Sequence, residues 1–148
     1  MSKRLAVGVV GVGYLGRFHA LIYARRPDAD LVGIVDTDGV RARSVADEAG
    51  CEALTDPEQL LDRVDAVSIV VPTTAHLEVA RPFLERGVHV LLEKPIASSV
   101  AEGAEIVAAA DRDDMVSLVA KVVPVRHRLV DERPAEWLQA AAIGELHR

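Results

Sequence analysis

Short runs of aliphatic and β-branched residues alternate with helical patterns through the first 120 residues of the chain. Six such runs predict strands, at residues 4–10, 31–35, 51–54, 66–71, 88–92 and 115–120. The runs are apolar throughout rather than at every second position, which indicates strands buried on both faces of a sheet. Strands that alternate with helices lie parallel, because each connection crosses the sheet through a helix. The pattern therefore predicts an α/β fold with a doubly wound parallel sheet.

Apolar residues at helical spacing predict four helices between these strands. Their expected apolar faces are Leu15, Phe18 and Ile22; Ala42, Val45, Ala46 and Ala49; Leu77, Ala80 and Leu84; and Val100, Ala104 and Val107. The third helix contains Pro82, which should remove a backbone hydrogen bond or kink the helix. Ser99 and Glu102 form a capping box at the start of the fourth helix.

The composition is that of a folded globular protein, with 50% hydrophobic and 27% charged residues. The 17 Lys and Arg against 23 Asp and Glu give a net charge of −6, which argues against nucleic acid or an anionic membrane as partner. The single cysteine, Cys51, excludes a disulfide within the chain and fits a reducing, cytoplasmic compartment. The five histidines lack the spacing of metal ligands, so we expect no metal site.

The length of the chain predicts one domain at residues 1–120, followed by a tail at 121–148. Pro124 and Pro134 break any long helix in the tail, which is too short to form a domain of its own. Every uninterrupted apolar run is shorter than the roughly 20 residues that span a bilayer. We therefore expect no membrane segment.

A glycine-rich turn follows the first predicted strand and opens the first predicted helix. Residues 11–16 read GVGYLG, the G-x-G-x-x-G fingerprint of dinucleotide-binding folds of the Rossmann type. The first glycine permits a tight turn, the second lets the backbone approach a pyrophosphate, and the third lets the helix pack closely on the strand. The helix N-terminus would present N–H groups and a positive dipole end to the phosphates. We expect cofactor contacts from Gly11, Gly13, Tyr14, Leu15 and Gly16.

An acidic residue, Asp36, ends the second predicted strand, about twenty residues after the turn. A carboxylate there would accept hydrogen bonds from the adenosine ribose, and its charge would repel a 2′-phosphate, which favours NAD. Thr37 and Arg41 lie beside it as further expected contacts, and the nearby arginines, Arg41 and Arg43, leave NADP open. The alternative is a structural glycine turn with a solvated Asp36. The order of strand, turn, helix and acid favours the cofactor site.

Four segments, VGVGYLGRFHA, LVGIVDTD, VDAVSIVVPTTAH and GVHVLLEKPIA, follow one another through the predicted domain. In this order and spacing they resemble the glucose-fructose oxidoreductase/inositol dehydrogenase (Gfo/Idh/MocA) family of NAD(P)-dependent oxidoreductases. The resemblance covers roughly residues 4–120. The Glu-Lys-Pro sequence together with the dinucleotide fingerprint makes it specific.

The resemblance implies roles for two loops at the ends of predicted strands. Lys94 would be the catalytic residue, which reaches the substrate hydroxyl that exchanges a hydride with the nicotinamide; a solvent-exposed lysine at a strand end is the alternative. Glu93 would contact the nicotinamide side, and Pro95 would fix the direction of the turn. The loop over the pyrophosphate and nicotinamide ribose would comprise Val71, Pro72, Thr73, Thr74 and His76. For His76, a polar residue at a helix start is an equal alternative, and His19 is expected to pack within the fold.

The family also implies a small-molecule partner, a sugar or sugar nucleotide, and the VVPTTAH and GVHVLLEKP segments are similar to a bacterial branch acting on UDP-N-acetylglucosamine. Family members carry a second, substrate-binding domain that also forms the oligomer interface. We do not expect that domain within these 148 residues, and we leave a homo-oligomer open. We therefore expect a chain that binds NAD and turns over poorly on its own. The alternative is a non-catalytic dinucleotide-binding module or a truncated remnant.

Overall fold

The computed structural model describes residues 4–110 and 117–119 of the chain. Within them lie six strands: β1 Leu5–Val10, β2 Ala29–Val35, β3 Glu52–Leu54, β4 Ala66–Ile69, β5 His89–Leu92 and β6 Ser117–Val119. The α-helices of the same part are α1 Tyr14–Arg25, α2 Gly39–Ala49, α3 His76–Glu85 and α4 Val100–Ala110, with short 3-10 helices at Pro57–Leu60 and Thr73–Ala75. Each predicted strand is present, with ends that differ by at most about two residues.

All six strands pair in parallel, in the order β3-β2-β1-β4-β5-β6. This confirms the predicted doubly wound parallel sheet. The chain runs outward from β1 to β3, returns to β4 beside β1, and then runs outward in the other direction. The crevice at such a switch point, at the carboxyl ends of the strands, is where open α/β sheets bind their ligands.

Two hydrophobic clusters cover the two faces of the sheet. One joins strand residues to α1 and α2 through Ala20, Tyr23 and Val45. The other joins them to α3 and α4 through Phe83 and Ile106, among other side chains. Each pair of helices therefore covers one face, as the apolar strands predict.

Helix α1 approaches the sheet through small and polar residues. Its buried side is Gly16, His19, Ala20 and Tyr23, whereas Leu15, from the expected apolar face, is 42% exposed. The hydroxyls of Tyr23 and Ser68 lie 2.7 Å apart in the interior and join α1 to β4. Burial raises the pKa of Tyr23 to about 12, against the smaller opposite effect of that hydrogen bond. Gly16 sets the buried side, because any side chain at this position would prevent the close approach of α1 to the backbone of Gly11.

The face predicted for α4 is wrong. Val100 is 92% exposed and Val107 52% exposed, whereas Ile106 is buried. The helix is apolar around most of its circumference, so spacing alone does not select the side that packs against the sheet. Its start shows one of the two bonds of the expected capping box: Ser99 Oγ accepts the Glu102 N–H at 3.2 Å, whereas Glu102 accepts the N–H of Ser98, at 3.0 Å, and not that of Ser99.

The other two helices agree with their predicted faces. The buried residues of α2 are Ala42, Val45 and Ala46, and the helix ends at a left-handed Gly50. Helix α3 runs through Pro82 to Glu85 and buries Ala80 and Leu84 as expected, with Phe83 beside them. No helix in the described ranges is long and apolar enough to cross a membrane. The predicted tail at 121–148 lies outside the described residues.

The close approach of α1 gives a first prediction, for Gly16→Ala. A Cβ at this position would lie 1.8 Å from the carbonyl oxygen of Gly11, so the helix must move away from the turn. We expect the free energy of unfolding, measured by urea denaturation, to fall by about 2–3 kcal/mol.

Gly103→Ala is the matched control, because a Cβ there would meet Ala97 Cβ at an ordinary 3.7 Å. The substitution lies inside α4 and should stabilise the protein by up to about 1 kcal/mol through helix propensity. Similar losses in both variants would contradict the account of α1 packing.

Candidate cofactor and active site

The expected site residues follow the carboxyl ends of four neighbouring strands. The glycine turn at 11–16 follows β1, Asp36 and Thr37 follow β2, the loop at 71–76 follows β4, and residues 93–95 follow β5. The strands are parallel and adjacent, so these segments share one edge of the sheet. The topology therefore brings the predicted residues together at the switch point, with Arg41 further along the chain, within α2.

The glycine turn has the backbone geometry of a phosphate cradle. Gly11 has φ +85°, and a Cβ there would lie 2.3 Å from the carbonyl oxygen of Val70, so only glycine fits. Gly13 differs, because a Cβ there would meet no atom within 4 Å and would project into open space. Gly13 is also the N-cap of α1 and provides no side-chain cap for the first-turn amides. The turn thus offers N–H groups and room for a diphosphate, which is the fit that the bound cofactor requires.

Two side chains of the fingerprint lie on the surface at the start of α1. Tyr14 is 81% exposed, and its ring meets the ring of Phe18 edge to face at a centroid distance of 5.2 Å. Leu15 is exposed beside it. Both side chains therefore border the glycine turn instead of filling the core. The apolar character of Leu15 predicts a place on the buried side of α1, and that prediction is wrong.

Asp36 is a buried carboxylate held in one orientation. Its Oδ2 accepts the Val12 N–H at 3.0 Å and its Oδ1 accepts the Asp38 N–H at 2.8 Å. Arg41 donates through two guanidinium nitrogens, at 3.2 Å and 3.1 Å. Burial acts to raise the pKa of Asp36, but the two amides and Arg41 outweigh it and hold the pKa below its ordinary value. The group is therefore ionised at neutral pH and fixed next to the glycine turn.

Arg41 occupies the same carboxylate that a ribose would use. Its side chain is 48% exposed, while that of Asp36 is 7% exposed. An exposed arginine can swing away from its partner, whereas the buried carboxylate stays with its two amide donors. The pair thus consists of a half-exposed cation and a buried anion. Thr37, also at this strand end, is exposed.

The Glu-Lys-Pro turn leaves β5 with its glutamate turned inward. The Glu93 N–H donates to the Ile69 carbonyl of β4 at 3.1 Å, and Glu93 Oε2 accepts the Lys94 N–H at 3.2 Å. The Glu93 side chain is 13% exposed, and its Oε1 lies 3.3 Å from His19 Nε2. His19 lowers the pKa of Glu93 more than burial raises it. Lys94 is exposed, and the Lys94–Pro95 peptide bond is cis.

His76 lies inside the fold at the start of α3. Its ring is 1% exposed, with Nε2 3.0 Å from the Val71 carbonyl oxygen and Nδ1 3.1 Å from the Ile96 carbonyl oxygen. Both partners are acceptors, so a neutral ring donates to one of them at a time. Of the two alternatives, the geometry favours a structural polar residue at the helix start over a side-chain contact to cofactor. Pro72 and Thr74 in the same loop are exposed, and Val71 and Thr73 are half-buried.

Sequence reasoning missed the contact between His19 and Glu93. It placed His19 within the fold, which the structure confirms with a side-chain exposure of 0%, but gave it no partner. The signal was present in the spacing: His19 lies three residues after Gly16, on the side of α1 that the third glycine turns toward the sheet. Side chains on that side meet the loops that follow neighbouring strands.

Two other chemistries find no support among the described residues. Burial raises the pKa of Cys51 to about 11, so this thiol stays protonated and is a poor nucleophile. Within the same described part of the chain, no group of three or more His, Cys, Asp or Glu side chains could hold a metal ion.

Comparison with known proteins agrees with this geometry. Residues 5–121 match the model of the Gfo/Idh/MocA oxidoreductase family, described as an NAD-binding Rossmann fold. A UDP-N-acetylglucosamine 3-dehydrogenase of Acidithiobacillus ferrooxidans is 40% identical over 140 residues, which are 95% of this chain and 42% of that protein. An inositol 2-dehydrogenase of Rubrobacter xylanophilus is 40% identical over 111 residues, 73% of this chain and 32% of the relative.

Solved structures give the same result. The UDP-N-acetylglucosamine 3-dehydrogenase of Acidithiobacillus ferrooxidans superposes with a TM-score of 0.74 at 40% identity, over 78% of this chain and 38% of its own. GenD2 from gentamicin A biosynthesis, solved in complex with NAD, superposes with a TM-score of 0.75 at 31% identity, over 80% of this chain and 35% of its own. The chain spans less than half the length of the relatives that it matches. It belongs to the Gfo/Idh/MocA oxidoreductase family, in the part that forms the NAD-binding Rossmann domain.

Proposed function

We propose that this chain is the cofactor-binding domain, residues 1–120, of a dehydrogenase that transfers a hydride between a hydroxyl of a sugar or sugar nucleotide and nicotinamide. The observation that supports it most is the cradle at Gly13, which is open on the side of the first-turn amides of α1. The ionised carboxylate of Asp36 stands at the next strand end. A dinucleotide needs both features at once, one for its phosphates and one for its adenosine ribose.

The order of the strands gives the orientation of the cofactor in this proposal. With the pyrophosphate over the glycine turn after β1, Asp36 takes the adenosine half on the β2 side. The nicotinamide half then lies over β4 and β5, next to the loops at 71–76 and 93–95. NAD is the expected cofactor, because the carboxylate of Asp36 can accept hydrogen bonds from ribose hydroxyls but has none to donate to a 2′-phosphate, and its charge repels that phosphate. Arg41 can leave Asp36 and pair with that phosphate, which keeps weaker NADP binding open.

Lys94 is the residue that we propose for the reaction. Bound nicotinamide supplies the carbon that accepts or returns the hydride. In the oxidation direction the neutral amine of Lys94 accepts the hydroxyl proton, and the ammonium so formed stabilises negative charge on the substrate oxygen; in the reduction direction the ammonium returns that proton. Glu93 keeps the turn in place through its contact with the Lys94 N–H. Both residues are therefore on the side where the nicotinamide half is expected.

The relatives support the proposed class of substrate, and the composition supports the proposed compartment. Similarity to enzymes named for UDP-N-acetylglucosamine and for inositol supports a polyhydroxylated substrate. A single thiol of raised pKa fits a reducing cytoplasm, where NAD is abundant. The exposed position of Lys94 means that water reaches the reacting group, so the chain alone should turn over slowly.

The proposal is tested first by titration with NADH, followed by the fluorescence of the nicotinamide, on the chain and on Gly13→Ala. A methyl group at Gly13 should leave the fold intact, because it meets no protein atom, but it occupies the space of the pyrophosphate. We expect the Kd for NADH to rise about tenfold or more. The melting temperature should stay close to that of the unsubstituted chain, in contrast to Gly16→Ala. Failure of the unsubstituted chain to bind any adenine dinucleotide at millimolar concentration would refute the proposal.

Asp36→Asn tests the adenosine end of the site. The amide keeps the shape but loses the charge and one acceptor, so NADH should bind about tenfold more weakly, since hydrogen bonds to charged groups are worth about 1.5–3 kcal/mol. The discrimination against NADPH should shrink, because the repulsion of the 2′-phosphate is removed. Competition titrations with NADH and NADPH measure both effects.

Asp38→Asn is the control for this change. It removes one negative charge two residues away, and asparagine can still accept the Val40 and Arg41 N–H groups that Asp38 caps. NADH affinity should change less than about twofold. An equal loss in both variants would mean that net charge, and not the Asp36 contact, sets the affinity.

Lys94→Ala separates binding from reaction. Its exposed side chain makes no contact with the glycine turn among the described residues, so we expect an NADH Kd within about twofold of the unsubstituted chain. Turnover with UDP-N-acetylglucosamine or inositol is measured as NADH formation. In the unsubstituted chain it should be below roughly one per second, and in the variant it should disappear. Lys94→Arg keeps the charge but cannot release a proton, so it should not restore the rate. Turnover that survives Lys94→Ala would remove this residue from the reaction.

A further inference from the structure

The turn that carries Lys94 is fixed at its first residue by a contact from α1. The buried imidazole of His19 lies with its Nε2 3.3 Å from Glu93 Oε1, and Glu93 Oε2 in turn accepts the Lys94 N–H at 3.2 Å. The Glu93 N–H is held by the Ile69 carbonyl at 3.1 Å. The carboxylate therefore links a side chain of α1 to the main chain of Lys94, two elements that are far apart in sequence.

The same turn is fixed just beyond its proline by a contact from α3. His76 Nδ1 lies 3.1 Å from the Ile96 carbonyl oxygen, and His76 Nε2 lies 3.0 Å from the Val71 carbonyl oxygen. One ring thus lies between a carbonyl of the loop after β4 and a carbonyl of the loop after β5, and a neutral ring donates to one of them at a time. Helices α1 and α3 cover opposite faces of the sheet, so the two histidines hold the turn from both sides.

Burial of the His19 ring lowers the stability of the fold unless its contact with Glu93 compensates. The ring is fully buried, and within the described residues neither of its nitrogens makes a hydrogen bond of good geometry, although Nε2 lies at ion-pair distance, 3.3 Å, from Glu93 Oε1. A buried polar group without a well-aligned partner destabilises a fold, and an apolar side chain of similar size would avoid that cost. The contact with Glu93 is what this position gains in return. It also lowers the pKa of Glu93, so the carboxylate stays ionised.

We propose that His19 and His76 are positioning residues that together hold the Glu93–Lys94–Pro95 turn against the nicotinamide half of a bound dinucleotide. The inference rests on the proposed cofactor site and adds two residues that neither touch the phosphates nor face the ribose of adenosine. Their effect passes through Glu93 at one end of the turn and Ile96 at the other. A turn held at one end only would let the ammonium of Lys94 drift, and small displacements of a reacting group reduce rates steeply.

The test compares two ligands that differ in the nicotinamide. NADH contains it, whereas ADP-ribose has the same adenosine and diphosphate but no nicotinamide. A variant that loosens the turn should weaken the binding of NADH and leave the binding of ADP-ribose unchanged, whereas a variant that damages the fold should weaken the binding of both. Titration calorimetry on the 148-residue chain gives both Kd values.

For His19→Leu we expect the Kd for NADH to rise about fivefold to tenfold and that for ADP-ribose to change less than about twofold. His19→Gln places an amide N–H near the position of Nε2 and should recover most of the NADH affinity. His76→Leu, which releases the Ile96 end of the turn, should show the same selective loss. If His19→Leu does not fold, His19→Asn replaces it, because the asparagine amide lies near the position of Nδ1 and not near that of Nε2. We then expect the same selective loss of NADH affinity.

Tyr23→Phe is the matched control, because it removes a buried polar contact to Ser68 from the same side of α1, one turn further along. It should lower the melting temperature without changing the ratio of the two Kd values. A ratio that is unchanged in His19→Leu, or that changes equally in Tyr23→Phe, would overturn the positioning role while leaving the cofactor site in place. An unsubstituted chain that binds neither ligand would overturn both.

Discussion

The contact between helix α1 and the backbone of the glycine turn determines where the rest of the site lies. Gly16 packs so closely on the Gly11 carbonyl that no side chain fits between them. This contact aims the helix N-terminus across the switch point of the sheet and sets the rotation of α1 about its axis. The same rotation turns His19 toward Glu93 and Tyr23 toward Ser68. One backbone contact therefore fixes both the phosphate cradle and the support of the Lys94 turn.

The charges at this edge of the sheet are arranged by burial. The two carboxylates are held inside, Asp36 by two amides and Arg41, and Glu93 by His19 and the Lys94 N–H. Both have pKa values below the ordinary range, so both are anions that keep a fixed orientation. The two cations beside them, Arg41 and Lys94, are exposed. Buried acceptors beside exposed cations suit a site that must hold a cofactor in one place yet accept ligands that differ by a phosphate or a hydroxyl.

Local patterns were enough to predict the strands, the order of helices and strands, and the glycine turn with Asp36. These features depend on neighbours in sequence: apolar runs, a cap, or glycines at fixed spacing. The faces of α1 and α4 needed more. In α1 the buried side is chosen by small residues that permit close approach, so Leu15 is exposed despite its apolar side chain. In α4 apolar residues surround most of the helix, and packing against the core cluster that includes Phe83 decides that Ile106 is the residue buried. The partner of His19 could not be predicted because Glu93 reaches it only through the folding of four intervening strands.

The two halves of the site differ in the same way, because one is built from neighbours in sequence and the other from elements far apart in sequence. The phosphate cradle lies within six consecutive residues and one helix N-terminus, so its geometry survives as long as β1 and α1 pack together. The Lys94 turn depends on side chains from α1 and α3 and on carbonyls from two loops, on both faces of the sheet. Such a non-local arrangement is more sensitive to changes elsewhere in the chain, since each contact requires a different element to be in place. The phosphate cradle should therefore tolerate change elsewhere in the chain better than the position of the Lys94 turn does.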